Sequence, residues 1–237
     1  VLMVLLFIAA SCGEPFSKRA SKDPMPAFFP KARILFQGDS ITDGNRGRNN
    51  DLNHILGHGY QFIIASKYGA QLPERNLTFI NRGISGNKVS DLLLRWQKDI
   101  NDLKPDILSI LIGVNDLSSG VSAEQFEQQY DQLLSDTVIA LPKIKLVLGE
   151  PFGLPAGGKK ANWDKYRADL IARQAIVAKL GRKYHAPVVH YQKMFEDAVK
   201  RAPAEYWIWD GVHPTFSGHQ LMADVWIRTV SDYWPQR

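Results

Sequence analysis

Residues 106–112 read Asp-Ile-Leu-Ser-Ile-Leu-Ile, and Gly113-Val114-Asn115-Asp116 follows at once. The run is almost wholly apolar. It lacks the alternation of a strand with one wet face, so it reads as a strand covered by helices on both sides, the usual situation in a parallel sheet. The glycine-containing turn behind it then falls at a strand's carboxyl end, where open α/β sheets carry their ligands.

Outward from that strand the same alternation continues in both directions. Toward the N-terminus, Ile34-Leu35-Phe36 and Leu77-Thr78-Phe79-Ile80 read as strands, each followed by a helical pattern, over 60–68 and 89–100. The second helix carries a stripe of Val89, Leu92, Leu93, Trp96 and Ile100 at helical spacing. Toward the C-terminus come a helix over 123–141, a strand over 144–148, a helix over 164–184, a short strand over 187–190 and a closing helix over 215–234. Strands alternating with helices predict an α/β protein, a three-layer α/β/α sandwich on a mostly parallel sheet of about five strands. Crossovers in such a sheet are right-handed. No internal repeat or interdomain linker divides it, so residues 31–237 are expected to form one domain.

The composition agrees with a single globular domain. The chain has 237 residues, 45% hydrophobic and 22% charged, which argues against disorder, collagen and coiled coil. One cysteine excludes an internal disulfide framework and any multi-cysteine metal cluster. The formal net charge is +5, but Lys18, Arg19, Lys22, Lys31 and Arg33 against Glu14 and Asp23 place +3 of it before Ile34. No basic stripe with interleaved aromatics remains to suggest nucleic-acid binding.

The first residues are expected to lie outside the fold. Val1 to Ala10 is an uncharged apolar run too short to span a bilayer, and it ends in the small residues Ala9, Ala10 and Ser11. It reads as the core of an export signal entered part-way, so residues 1–11 are expected to be a partial signal peptide. Cys12 follows directly, and Ala-Ala-Ser-Cys resembles a bacterial lipoprotein cleavage box, although Ala9 stands where leucine is usual. In that reading Cys12 is lipidated and anchors the chain in the cell envelope; the plainer alternative is a periplasmic or secreted protein with an incidental cysteine. Residues 12–30, with four prolines, read as a flexible tether.

Three glycine-containing turns end predicted strands: Gly38-Asp39-Ser40, Gly83-Ile84-Ser85-Gly86-Asn87 and Gly113-Val114-Asn115-Asp116. Parallel strands end on one edge, so these turns are expected side by side. Trp209-Asp210-Gly211-Val212-His213-Pro214 precedes the last helix and can reach the same edge. Each residue type suits acyl transfer. A serine hydroxyl needs an imidazole to take its proton, and the imidazole needs a carboxylate to orient it. Asp210 and His213 can supply both from one loop. The oxyanion needs preorganised donors, and the Ser40 and Gly83 N–H groups with the Asn115 amide are candidates. Taken singly each motif is ordinary turn or capping chemistry. Their joint order is what carries the reading.

These four blocks resemble those of the SGNH hydrolases, also called GDSL-type esterases and lipases, over roughly residues 34–233. The resemblance implies a flavodoxin-like fold, Ser40 as nucleophile, Asp210 and His213 as orienting acid and base, and an oxyanion hole of Ser40, Gly83 and Asn115. It implies no metal and no organic cofactor. Ile41 replaces the leucine of the family name, a harmless departure. The wider wording, ILFQGDSITDGNR, FINRGISGN, SILIGVND and WDGVHPTFSGH, is similar to bacterial serine acetylxylan esterases.

Other candidates carry less. Gly153 to Lys160 nearly spells a phosphate-binding loop, but Lys160 stands where Ser or Thr would hold magnesium, so it reads as a flexible loop. Ser85 lies outside a GxSxG elbow and reads as a turn residue. His54 and His58 are separated by Gly57 and adjoin Gly59, which argues against a rigid metal pair. His185, His190 and His219 read as packing or surface residues, and Asp39 and Asp116 as turn-shaping ones. Trp207 and Trp209 lie near His213 and are candidate platforms for a sugar ring, with plain packing the alternative. The expectation is a serine esterase acting on short acetyl esters of xylan or related carbohydrates. A lysophospholipase or thioesterase of the same machinery, and a non-catalytic surface carbohydrate-binding protein, are the alternatives. The membrane is expected as a partner only through a lipid at Cys12.

Overall fold

The computed structural model describes residues 23–235. Five parallel strands, β1 (Arg33–Gly38), β2 (Thr78–Asn81), β3 (Ile107–Leu111), β4 (Lys145–Gly149) and β5 (Val188–Val189), lie in the order β2-β1-β3-β4-β5. This is the flavodoxin-like order, and its switch point lies between β1 and β3. The α/β fold class expected from the sequence is therefore observed.

Alternate residues of each strand feed opposite layers. Ile34 and Phe36 of β1, Ile107 of β3 and Val147 of β4 pack beneath α2 (Tyr60–Gln71), α7 (Tyr191–Ala198) and α9 (Phe216–Tyr233). Leu35, Leu108, Ile110, Leu146 and Leu148 pack on the other face beneath α3 (Val89–Trp96), α5 (Ala123–Ala140) and α6 (Trp163–Lys183). The one polar residue inside β3, Ser109, is buried and accepts a hydrogen bond from the Trp226 indole at 2.9 Å. It thus satisfies the N–H of the largest side chain in its layer, as a buried indole requires.

Short elements fill the strand ends: α1 (Ser40–Asp43), α4 (Val114–Ser118) and α8 (Ala204–Trp207). At four or five residues each they are too brief for an apolar period to announce them. The predicted helix over 89–100 is α3, which widens into a π turn over Gln97–Asn101.

The expected tether needs correcting at its C-terminal end. Met25, Ala27 and Phe28 are fully buried, and Phe28 meets Tyr68 and Phe79 edge-on, with ring centroids 5.2 and 5.8 Å apart. Arg75 donates to the carbonyls of Met25 and Phe28, at 3.1 and 2.7 Å, and pairs with Asp23 at 2.8 Å. Four prolines suggested a spacer, but the apolar residues between them cover a face that the helices leave open. The expected signal segment, Cys12 and the start of the tether lie outside the described residues.

Candidate active site

Strand β1 delivers Asp39 to the N-cap of α1, where its carboxylate accepts from the Ile41 N–H at 3.0 Å and sets Ser40 as the first helical residue. The first N–H groups of a helix have no partner within it, so the Ser40 N–H is available beside its own hydroxyl. Gly44, with φ +52, ends the helix after one turn.

Across from Ser40, the antiparallel bridge between Ile208 and Pro214 pinches residues 209–213 into a loop. Asp210 organises that loop from within: one carboxylate oxygen accepts from the N–H groups of Val212 (2.9 Å) and His213 (2.7 Å). The other lies 2.6 Å from His213 Nδ1, and His213 Nε2 lies 2.8 Å from Ser40 Oγ. Partial burial pushes the Asp210 carboxyl up, but the donors from His213 and Val212 outweigh it and hold it below its ordinary value. Gly211 (φ +94) permits the tight turn, since a side chain there would also strike the Ala156 carbonyl.

The third expected turn is also present. Gly113 (φ +126) ends β3, and Asn115 follows on α4 with its amide donating to the Asn87 carbonyl at 3.1 Å. Asp116 accepts from the Val89 N–H at 3.1 Å and so joins this turn to the start of α3.

Gly83 departs from expectation. Its N–H is buried and donates to the Asn81 side chain at 2.9 Å, so it is not free to meet an oxyanion. A Cβ there would collide with the backbone N of Asp43, so its smallness serves packing between turns. Three residues on, Gly86 (φ +83) occupies the third position of a turn closed by Asn87 N–H to Ile84 O at 3.2 Å. Gly86 is exposed, and its N–H makes no hydrogen bond among the described residues. Position in the turn was the missing signal: a type II turn requires positive φ at its third residue and hence glycine. Ser85 donates through both N–H and hydroxyl to Asp43 at 3.0 Å, as a turn residue.

The two tryptophans separate. Trp209 is 62% exposed beside Asp210, whereas Trp207 is only 6% exposed, packs in the core and donates to the Ala202 carbonyl at 3.3 Å. The expectation of a sugar platform at Trp207 is thereby corrected. The flexible-loop reading of Gly153 to Lys160 is corrected over its first part: Phe152, Leu154 and Ala156 are buried, and Leu154 donates to the Gly211 carbonyl at 3.2 Å, whereas Gly157, Gly158 and Lys160 are exposed. That first part is the wall behind the histidine loop. His219 is buried and accepts from the Tyr60 N–H at 3.2 Å; burial, with His58 and His213 nearby, pushes its pKa down to about 4, so it stays neutral.

Sequence reasoning missed Arg95. From the last turn of α3 it donates to Asn87 Oδ1, Gln37 Oε1 and the Arg82 carbonyl, each at 3.0 Å, and pairs with Asp99. Nothing in the local pattern marks it, since its partners come from three separate segments.

Comparison with known proteins gives a family for the chain and its fold. The model of the GDSL-like lipase/acylhydrolase family matches residues 36–221. The chain is 30% identical over 215 residues to an acetylxylan esterase of Geobacillus stearothermophilus, covering 85% of this chain and 95% of that one. A crystal structure of that organism's acetylxylan esterase Axe2 superimposes with a TM-score of 0.78 at 28% identity, covering 89% of this chain and all of the other. A Parabacteroides merdae structure, described as a GDSL-like lipase, gives a TM-score of 0.82 at 38% identity over 86% of this chain and 97% of that one. A lipoprotein of Bacillus subtilis, YqeF, is 31% identical over 134 residues, 54% of this chain and 46% of its own.

Proposed function

This chain belongs to the GDSL-like lipase/acylhydrolase family and is a carboxylic ester hydrolase, and from that premise we propose that it removes acetyl groups from xylan or related carbohydrates through an acyl-enzyme on Ser40. The observation that carries the proposal is the unbroken contact chain Ser40–His213–Asp210 in an open position, with the His213 side chain 41% exposed beside the exposed Trp209. An open site with an aromatic face admits a sugar chain, whereas a buried acyl tunnel would not.

In this proposal the Ser40 hydroxyl passes its proton to His213 Nε2 as Oγ bonds to the acetyl carbonyl carbon. Asp210 fixes the proton on Nδ1 and stabilises the imidazolium that results. The carbonyl oxygen becomes an oxyanion held by the N–H groups of Ser40 and Gly86 and the Asn115 amide, with Gly86 replacing Gly83 in that role. Collapse expels the sugar oxygen, which takes the proton from His213 and leaves acetyl-Ser40. Water then attacks the acetyl carbonyl carbon, His213 again acting as base, and acetate departs as Ser40 recovers its proton. No step calls on a metal or an organic cofactor. Trp209 is proposed to stack against the sugar. The apolar run at Val1 to Ala10 and the lipoprotein relative support export, with Cys12 as a candidate lipid attachment point in the cell envelope.

The test is an ester series from acetyl to octanoyl, beside acetylated xylan and a lysophospholipid. The wall at residues 152–156 turns its apolar side chains into the core, so a longer chain gains little of the ~0.8 kcal/mol available per buried CH₂. The expected kcat/KM falls from acetyl to butyryl and is negligible at octanoyl, and Ser40→Ala abolishes turnover. A profile peaking at octanoyl or beyond would replace this reading with a lipid esterase.

A further inference from the structure

The loop leaving α1 turns back along the open edge of β2. There Arg46 and Arg48 of the loop and Arg82 beyond β2 line a cavity of about 380 Å³, together with Asn49, Asn50 and the edge of β2. Two of the three guanidinium groups have counter-ions. Arg48 grips Asp43 with two hydrogen bonds, at 3.0 and 2.7 Å, and Arg82 lies 3.8 Å from Asp99, which Arg95 also holds. Arg46 differs. It is half-buried, it spends its Nε on the Gly83 carbonyl at 2.9 Å, and it forms no ion pair among the described residues.

Four arginines (46, 48, 82 and 95) thus face two carboxylates, Asp43 and Asp99, both already committed. Asp51, on the same loop, is bonded by the N–H and amide of Asn53 and lies 3.6 Å from His54. Burial, followed by repulsion from Arg48, draws the Arg46 pKa down to about 10, and the attraction of Asp43 and Asp99 offsets this only in part. A guanidinium in that position gains most from a planar, bidentate acceptor, and a carboxylate is one. The place is close to the chemistry. Gly83, whose carbonyl Arg46 holds, precedes Gly86 by three residues, a chain reach of at most roughly 11 Å.

We propose that this cavity is a subsite for the carboxylate of an acidic sugar, a uronic acid borne on the same polysaccharide whose acetyl groups are removed at Ser40. The inference rests on the esterase reading above, and it makes the enzyme favour acetyl groups that neighbour a negatively charged branch.

The test compares two acetylated xylo-oligosaccharides of equal length and acetylation, one carrying a glucuronic acid branch. With the full chain at low salt, the expected kcat/KM, followed by acetate release, is about tenfold higher for the acidic one. The ratio shrinks as sodium chloride is added, because the pocket is open to solvent. It falls toward one in Arg46→Gln and is partly kept in Arg46→Lys. Because Arg46 also holds a backbone carbonyl, Arg82→Gln serves as a second variant and lowers the same ratio with that bond intact. Equal rates on both substrates in the unmodified chain overturn the inference and leave the esterase reading standing. Calorimetry with the deacetylated pair separates the two further. If neither acetylated substrate turns over, the esterase reading fails, yet tighter binding of the acidic sugar, lost in Arg46→Gln, still supports the subsite. Binding of inorganic phosphate without preference for the acidic sugar would overturn it.

Discussion

Asp39 and Asp210 both feel the charge of His213, and their surroundings drive them in opposite directions. Asp210 keeps its charge because its donors outweigh its burial, so the stability it contributes is present above the ordinary aspartate range and is lost as pH falls through its lowered value. Asp39 is fully buried; one of its oxygens accepts from the Ile41 N–H, and the other has no partner among the described residues. Burial raises it from 3.8 to about 7 against the opposing pull of Ile41 and His213. Between those two values the folded chain holds a proton that the unfolded chain has lost, so Asp39 lowers stability progressively as pH rises to about 7. Asp39→Asn is neutral throughout and still caps α1. Its melting temperature relative to the unmodified chain is therefore expected to climb from about pH 5 to about pH 8. A gap that does not change with pH would mean that Asp39 is ionised. Also at this scale, Asn115→Ala is expected to cut kcat about 10²–10³-fold with little change in KM. Gly83→Ala should act differently: it lowers the melting temperature, because its Cβ meets the Asp43 backbone, and costs activity only through misplaced turns.

Between the elements, the turns that carry the candidate site are tied together by side chains rooted elsewhere. The Asn81 amide donates to the carbonyls of Thr42, Asp43 and Leu56, at 2.7, 3.2 and 2.9 Å, and fixes α1 against β2. Arg95 does the same from α3, and its Asn87 partner is the residue whose carbonyl anchors Asn115. Arg95→Ala leaves Asp99 with only the more distant Arg82 and removes the charged donor from Gln37 Oε1, and it is expected to cost about 3 kcal/mol in urea unfolding. It should also lower kcat on a simple acetate ester more than it raises KM, because Asn87, whose carbonyl holds the Asn115 amide, is no longer tied to α3. Arg95→Lys, with one compact charge for a fork, restores most of the stability and less of the rate. Loss of stability with unchanged kcat would show that the α3 tie does not reach the site.

Over the whole molecule, the strand order brings β1 and β3 together at the switch point, so the turns bearing Ser40 and Asn115 are neighbours although 75 positions separate them. The layer beneath α2 and α9 is closed by the segment that precedes β1. Met25 and Phe28 bury fully there, each worth about 1.5–3 kcal/mol. A chain starting at Lys31 is therefore expected to lose several kcal/mol relative to one starting at Asp23, with a lower midpoint in thermal and urea melts and little change in KM while folded. Equal melting of the two would return residues 23–30 to the role of a tether.

The amino-acid order alone determined the strand-helix alternation, because apolar period and run length are local properties. It determined the serine, asparagine, aspartate and histidine that converge, because turn residues at the ends of parallel strands must meet on one edge. Asp210 and His213 were legible as a pair because they share one loop. Tertiary structure decided what depends on partners distant in sequence. Gly83 lost its expected role because Asn81 takes its N–H, and Gly86 stands free because the turn places it outward. Trp207 and Trp209 look alike in sequence, yet the bridge between Ile208 and Pro214 turns one into the core and leaves the other in solvent. Arg95 and the arginine cavity were invisible because a guanidinium takes its meaning from the groups it reaches, and only the folded chain brings them within reach.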